Sequence, residues 1–222
     1  MPLSEPPREA GSLAGTPARA LAGTALYRVW RRHLPDGSTR EVPWWFASAP
    51  EPPEDGGRFD LAEPNGTCYL ATTLLGSLLE ALQLHLAHLP RAELAVRAAV
   101  EAMASDHAPE AADLTARQNA GSGITAGLWA GSDRVRTQAW AAAFRRDGWW
   151  ALHAGIQHDP SGGLRSIALF DYAGAHPPSH GGQWPTRECD LMTSDLEDEL
   201  ARFGVRVRGP ANLPIAEPPP RS

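Results

Sequence analysis

Three polar side chains interrupt an otherwise apolar stretch at equal intervals. Arg58, Tyr69 and Glu80 stand eleven residues apart. A guanidinium offers a planar fork of donors to an anion, and a phenol has a flat face with one polar tip. A carboxylate on a rigid element can steady positive charge that develops beside it. Gly76 lies one turn before Glu80 and costs a helix about 1 kcal/mol against Ala. A bare backbone next to a carboxylate suits the approach of a ligand. The spacing alone equally suits a solvated polar face for Glu80 and a close-packing site for Gly76.

The elements that must position these groups follow from the pattern around them. Gly56-Gly57 marks a turn whose backbone freedom lets Arg58 point inward. Residues 67–71 form a short apolar run that reads as a buried strand, with Tyr69 on the face opposite to Cys68 and Leu70. A helix capped by Thr72 or Thr73 follows. Its stripe of Leu74, Leu75, Leu78, Leu79, Leu82, Leu86 and Leu89 must face a core. The same apolar face is expected to run on until Pro90 ends it.

Composition narrows the classes. The 222 residues suit one domain with tails. A formal charge of -6 with no basic run argues against grasping nucleic acid by its phosphates. All 20 basic residues are Arg, so arginine identity carries weight only where spacing supports it. Cys68 and Cys189 lack metal-ligand spacing, and Cys68 reads as a small core residue. His85 and His88 share a helical face without a third ligand, which favours a polar face over a metal site. No apolar run approaches a membrane span, and residues 1–7 contain no signal-like apolar segment, so a cytoplasmic protein without a membrane contact is expected.

Along the chain, residues 1–22 read as a disordered tail and residues 24–31 as the first strand. Residues 32–57 form a long connection broken by five prolines, and Trp44-Trp45-Phe46 is expected to fold it back over the core. Residues 92–104 are ambiguous, with a strand over at least part of them. A loop-rich stretch follows, and its glycines form no phosphate-binding fingerprint. A helix capped by Ser132 or Asp133 runs to about Arg146, with Val135, Ala139, Ala142 and Ala143 inward. Residues 149–156 and 164–170 pair as antiparallel strands. Residues 173–187 read as a flexible loop, 196–203 as a helix, 205–207 as a last strand, and 210–222 as a Pro-rich tail.

The ordered set Leu26-Tyr27-Arg28-Val29, Gly56-Gly57-Arg58-Phe59-Asp60, Tyr69-Leu70-Ala71 and Leu78-Leu79-Glu80-Ala81-Leu82 resembles the RES-domain family. A second block, from Thr137-Gln138-Ala139-Trp140 through His158-Asp159-Pro160 to Ala168-Leu169-Phe170, resembles that family's C-terminal half. The likeness implies a RES domain over 23–209 with an α+β fold, a mixed, largely antiparallel core sheet with flanking helices like that of ADP-ribosyltransferases. It further implies a toxin of a bacterial toxin–antitoxin pair that cleaves the nicotinamide–ribose bond of NAD, with water or phosphate as acceptor and no metal.

On that likeness Glu80 is the catalytic carboxylate, and Arg58 and Tyr69 are catalytic and NAD-binding. Arg28 belongs to the nucleotide site. A helix-turn-helix antitoxin is the expected protein partner. Nicotinamide leaves without needing a proton, so the demand falls on the cationic sugar, as in other glycosidic cleavages. One position departs from the family: alignment on His158-Asp159-Pro160 puts Ile156-Gln157 where Ser-Arg is expected. Ser166 is the nearest alternative for the serine's part in NAD binding. Two other functions use the same groups: ADP-ribosyl transfer onto a protein, and NAD binding without turnover.

Overall fold

The computed structural model describes residues 3–82 and 88–209. In chain order the elements are β1 (Ala18–Arg19), β2 (Ala25–Arg31), β3 (Asn65–Ala71), α1 (Leu74–Leu82), β4 (His88–Pro90), α2 (Arg91–Ala95) and β5 (Arg97–Met103). The second half contains β6 (Ala111–Asp113), α3 (Gly127–Ala130), α4 (Arg134–Arg146), β7 (Ala151–Gly155), β8 (Arg165–Tyr172), β9 (Thr186–Cys189), α5 (Ser194–Arg202) and β10 (Arg206–Arg208).

Eight strands form one sheet in the order β1-β6-β7-β8-β3-β2-β5-β9, and β4 pairs with β10 apart from it. Within the large sheet only β6 and β7 run parallel. Alternation along the strands divides the core. Leu26, Cys68, Leu70, Ile167 and Leu169 face one side, where Trp44, Phe46 and Trp184 cover them. The other side takes α1 and α5 over one half and α3 and α4 over the other. The fold is therefore α+β with a mostly antiparallel sheet, as expected, and the Trp-rich connection does fold over the core.

One seam of the sheet is weak, and the site lies there. β3 pairs with β8 over seven positions and β2 with β5 over seven, yet β2 and β3 share only Tyr27 opposite Ala71. Beyond that pair the two strands separate. The backbone groups freed by the split cannot be left buried without partners, and side chains satisfy them. Ser77 Oγ accepts from Val29 N at 2.8 Å, and Arg28 Nη1 donates to Tyr69 O at 2.8 Å.

α1 starts where its cap predicts, with Gly76 N donating to Thr73 Oγ1 at 3.0 Å. Leu75, Leu78, Leu79 and Leu82 are buried, each contributing about 1.5–3 kcal/mol. Leu89 does not continue this helix; it is buried in β4, paired with Val207. His88 also lies in β4, and His85 falls outside the described residues.

α4 begins after Asp133, whose side chain accepts from Arg136 N. Its inward face is Thr137, Trp140, Ala141 and Phe144, with Ala143 beside them, whereas Val135, Ala139 and Ala142 are exposed. In a helix this rich in alanine the two large aromatics decide which face is buried, because each removes far more apolar area than any alanine.

The N-terminal segment departs from the disordered tail expected of it. Leu13 and Leu21 are buried, and β1 pairs with β6. Trp140 Nε1 donates to Ser4 O at 2.9 Å and Trp149 Nε1 to Leu13 O at 3.0 Å. The indole N–H groups of buried tryptophans need acceptors, and this segment supplies them. The Pro-rich 210–222 segment lies outside the described residues.

Candidate active site

The split between β2 and β3 opens a cleft of about 210 Å³. Arg58, Tyr69 and Glu80 all line it, and Arg28 lines it from β2. Ser166 does not. It is buried on β8 opposite Ala71, with its hydroxyl toward Gly155 O at 3.4 Å.

Arg58 is held by its loop rather than by chance. Asp60 Oδ2 accepts from Gly57 N at 2.6 Å, and Asp60 Oδ1 accepts from the Tyr69 hydroxyl at 2.8 Å. That hydroxyl itself accepts from Phe59 N at 2.8 Å. From α4, Gln138 Nε2 donates to Pro53 O and Gly57 O, both at 2.9 Å. Gly57 is required for room rather than for an unusual φ: a Cβ there would stand 2.5 Å from Tyr69 Oη and 2.6 Å from Asp60 Oδ1. Tyr69 thus serves the loop with its hydroxyl and also lines the cleft.

Gly76 also has a packing role. A Cβ on it would meet Ile156 Cδ1 at 2.8 Å and Thr73 Oγ1 at 3.0 Å. The bare backbone lets α1 sit against the β7–β8 turn and does not open a path for a ligand.

Arg58 Nη2 lies 3.7 Å from Glu80 Oε2, while its Nη1 donates to Gln157 Oε1 at 2.7 Å. The Arg58 and Glu80 side chains are 8% and 14% exposed, so little solvent screens them. Burial pushes the Glu80 carboxyl above its ordinary value of 4.5; Arg58, the Gln157 N–H and Arg134 partly pull it back. Burial also lowers Arg58, with Glu80 opposing the shift and Arg134 adding to it. The Tyr69 hydroxyl is pushed well above its ordinary value, by burial first and then by Asp60. It is a neutral donor at physiological pH.

Five arginines (28, 31, 40, 58 and 134) line the cleft against one carboxylate, Glu80. Arg31 is neutralised by Glu93 at 2.9 Å, and Arg28 spends two donors on Tyr69 O and Trp45 O. The remainder is a cationic hollow with one anion fixed inside it. Such a hollow suits a phosphate-bearing molecule whose reacting centre becomes positive.

Sequence reasoning brought Arg58, Tyr69, Glu80 and Arg28 to one place. It missed Arg134, Gln138 and Gln157. Arg134 had a signal, a cation in the first turn of a helix, where the helix dipole disfavours it. Gln157 had one too, since it stands where the family's arginine is expected, but its bond to Arg58, ninety-nine residues away, could not be read from it.

The comparison with protein families gives the class. The RES-domain family model matches residues 25–191, and the chain belongs to the RES-domain family. A comparison with curated proteins gives no match. Among solved structures, a chain of the M. tuberculosis MbcT–MbcA toxin–antitoxin complex is 20% identical. The alignment covers 87% of this chain and 98% of that one, with a TM-score of 0.56. That likeness supports the fold.

Proposed function

We propose that the protein is the toxin of a toxin–antitoxin pair and acts by breaking the nicotinamide–ribose bond of NAD. The observation that carries this reading is the single carboxylate, Glu80, fixed among arginines in the cleft of a RES domain. The fold's likeness to a chain of a solved toxin–antitoxin complex supports the biological setting. An antitoxin of the helix-turn-helix kind and a functional domain running from 23 to 209 belong to the same reading.

As the glycosidic bond stretches, its electron pair stays with the nicotinamide nitrogen, which leaves neutral, and positive charge spreads over the ribose C1′ and ring oxygen. Glu80 stabilises that charge. Burial strengthens the effect, because low local polarity leaves water little chance to screen it. Arg58 restrains the carboxylate from one side and offers its remaining donor capacity to the ribose or phosphate oxygens. The Tyr69 ring forms part of the wall that excludes bulk water from the sugar. Water then adds to C1′ and loses a proton to solvent, or a phosphate oxygen adds through its own negative charge with no proton released.

The purified protein is expected to release nicotinamide from NAD, followed by chromatography with and without inorganic phosphate. Intact NAD after prolonged incubation with folded protein would overturn the enzymatic reading. Ile156 and Gln157, standing where the family's serine and arginine are expected, favour one second reading: NAD binding without turnover. Saturable binding by calorimetry with no nicotinamide released would select it.

A further inference from the structure

α4 carries two arginines in its first turn, and they differ sharply. Arg136 donates to Leu3 O at 2.6 Å, pairs with Glu5 at 2.9 Å, and lies 3.5 Å from Asp133. Arg134 lines the cleft, and its Nη1 is buried without an acceptor among the described residues. Asp133, its neighbour, is engaged by the backbone and side chain of Arg136 instead.

Three costs coincide at Arg134. A cation at the N-terminal end of a helix opposes the helix dipole. A buried N–H without an acceptor loses its hydration for nothing. Arg58 is close enough that the two guanidiniums disfavour each other. Glu80 and Asp60 attract Arg134 at longer range, but no hydrogen bond or ion pair within the described residues reaches its buried Nη1. Placement shows where the offset would come from. Gln138, one turn on and on the same face of α4, donates to Gly57 O in the loop that holds Arg58. Arg134 therefore reaches the same part of the cleft as Arg58.

We infer that Arg134 is a phosphate-binding residue, closing with Arg58 on a phosphoryl group in the cleft. An incoming oxyanion gives the buried Nη1 its acceptor and separates the two positive charges. A guanidinium fork matches two phosphate oxygens, which a single ammonium does not. The inference rests on reading the cleft as a nucleotide site. The phosphoryl group has two sources within that reading: the diphosphate of NAD, or free phosphate that attacks C1′.

The test compares wild type with Arg134→Gln and Arg134→Lys. Calorimetry with pyrophosphate and with inorganic phosphate comes first, because neither probe depends on NAD being cleaved. Arg134→Gln is expected to weaken binding of at least one probe by ~10-fold or more, the loss of one charge-assisted contact. Arg134→Lys is expected to recover part of it. Without any anion, Arg134→Gln is expected to melt no lower than wild type, since no bond is removed. The rise in melting temperature on adding the anion should be lost.

Kinetics then separate the sources. A raised KM for NAD points to its diphosphate, and a raised KM for phosphate with NAD unaffected points to the acceptor. Should wild type bind pyrophosphate or phosphate but release no nicotinamide, the enzymatic reading falls and the anion site stands. The inference is overturned if wild type binds neither probe. Binding by Arg134→Gln within about twofold of wild type overturns it too, as does a lower melting temperature of the anion-free variant.

Discussion

The cleft has a counterpart on the far side of the same sheet, and the pair shows what separates a site from a scaffold. Where β6 meets β7, Asp113 Oδ1 accepts from Thr115 N at 3.0 Å and from Thr115 Oγ1 at 2.7 Å. It also accepts from His153 Nδ1 at 3.0 Å, while Asn119 Nδ2 donates to the Asp113 carbonyl at 2.7 Å. Burial holds His153 below its ordinary value of 6.5, although Asp113 opposes the shift, so the ring is neutral near pH 7 and its Nδ1–H is the donor. Burial pushes the Asp113 carboxyl up, but the Thr115 and His153 hydrogen bonds outweigh it and the net shift is downward.

Both regions gather buried polar groups, so burial does not distinguish them. They differ in unspent bonding capacity. At β6–β7 one carboxylate satisfies its neighbours within a short stretch of chain and one adjacent strand. In the cleft, Arg134 Nη1 and Arg28 Nε have no acceptor among the described residues, and the Arg58–Glu80 pair stands at 3.7 Å, longer than a good ionic hydrogen bond. A finished network stabilises one conformation. An unfinished one has room for a ligand.

The largest effect should come from the cleft and leave the scaffold untouched. Glu80→Gln keeps shape and removes charge, and it is expected to lower kcat by about 10²–10³. Circular dichroism and sedimentation should be unchanged, with nicotinamide release as the assay. Equal turnover by both proteins would remove Glu80 from the chemistry. Asp113→Ala should do the opposite. It strands the Thr115 and His153 donors and is expected to cost about 1–3 kcal/mol of stability, read from the urea midpoint. The kcat of the fraction that remains folded should match wild type. A large loss of kcat there would erase the distinction drawn between the two regions.

Gly57→Ala joins the two kinds of effect. The added methyl cannot coexist with Tyr69 Oη and Asp60 Oδ1 where they stand, so the loop must shift at a cost of about 1–3 kcal/mol. Arg58 moves with the loop, and kcat/KM should fall although no catalytic group is altered. Wild-type kcat/KM and stability together would show that the loop clamp does not position Arg58.

How much of this was legible in the residues depends on how local the determinant was. Thr73 and Asp133 announced their helices because a cap acts within three residues. The alternation around Tyr69 placed its ring correctly, since the strand period is fixed by backbone geometry. The packed N-terminal segment was illegible, because indoles more than 130 residues away hold it in place. The seam between β2 and β3 was equally hidden. Both strands have ordinary strand composition, and only their failure to pair past Tyr27 and Ala71 creates the cleft. Gly76 read as a place of close approach with packing and ligand both open, and the side chain that approaches it is Ile156.

The smallest effect, and the most direct test of the contrast, is in the pH dependence of stability. Glu80 has a folded pKa above 4.5, so the native state binds more protons than the unfolded one just above that pH. Stability from this group therefore falls as pH rises through that window. His153 has a folded pKa below 6.5, so the unfolded state takes up the proton first as pH drops. Its contribution is complete above 6.5 and is lost on acidification through the folded value. Between these limits the cleft and the scaffold act with opposite slopes. Melting temperature against pH should therefore tilt in opposite directions in Glu80→Gln and His153→Gln: the first variant gains relative to wild type as pH rises from 4.5, and the second gains relative to wild type as pH falls from 6.5. The slope is the quantity to read. The attraction of Arg58 for ionised Glu80, and of Asp113 for protonated His153, is already contained in each group's net shift and so in the slope. Parallel curves for both variants would show that neither group titrates differently in the folded protein.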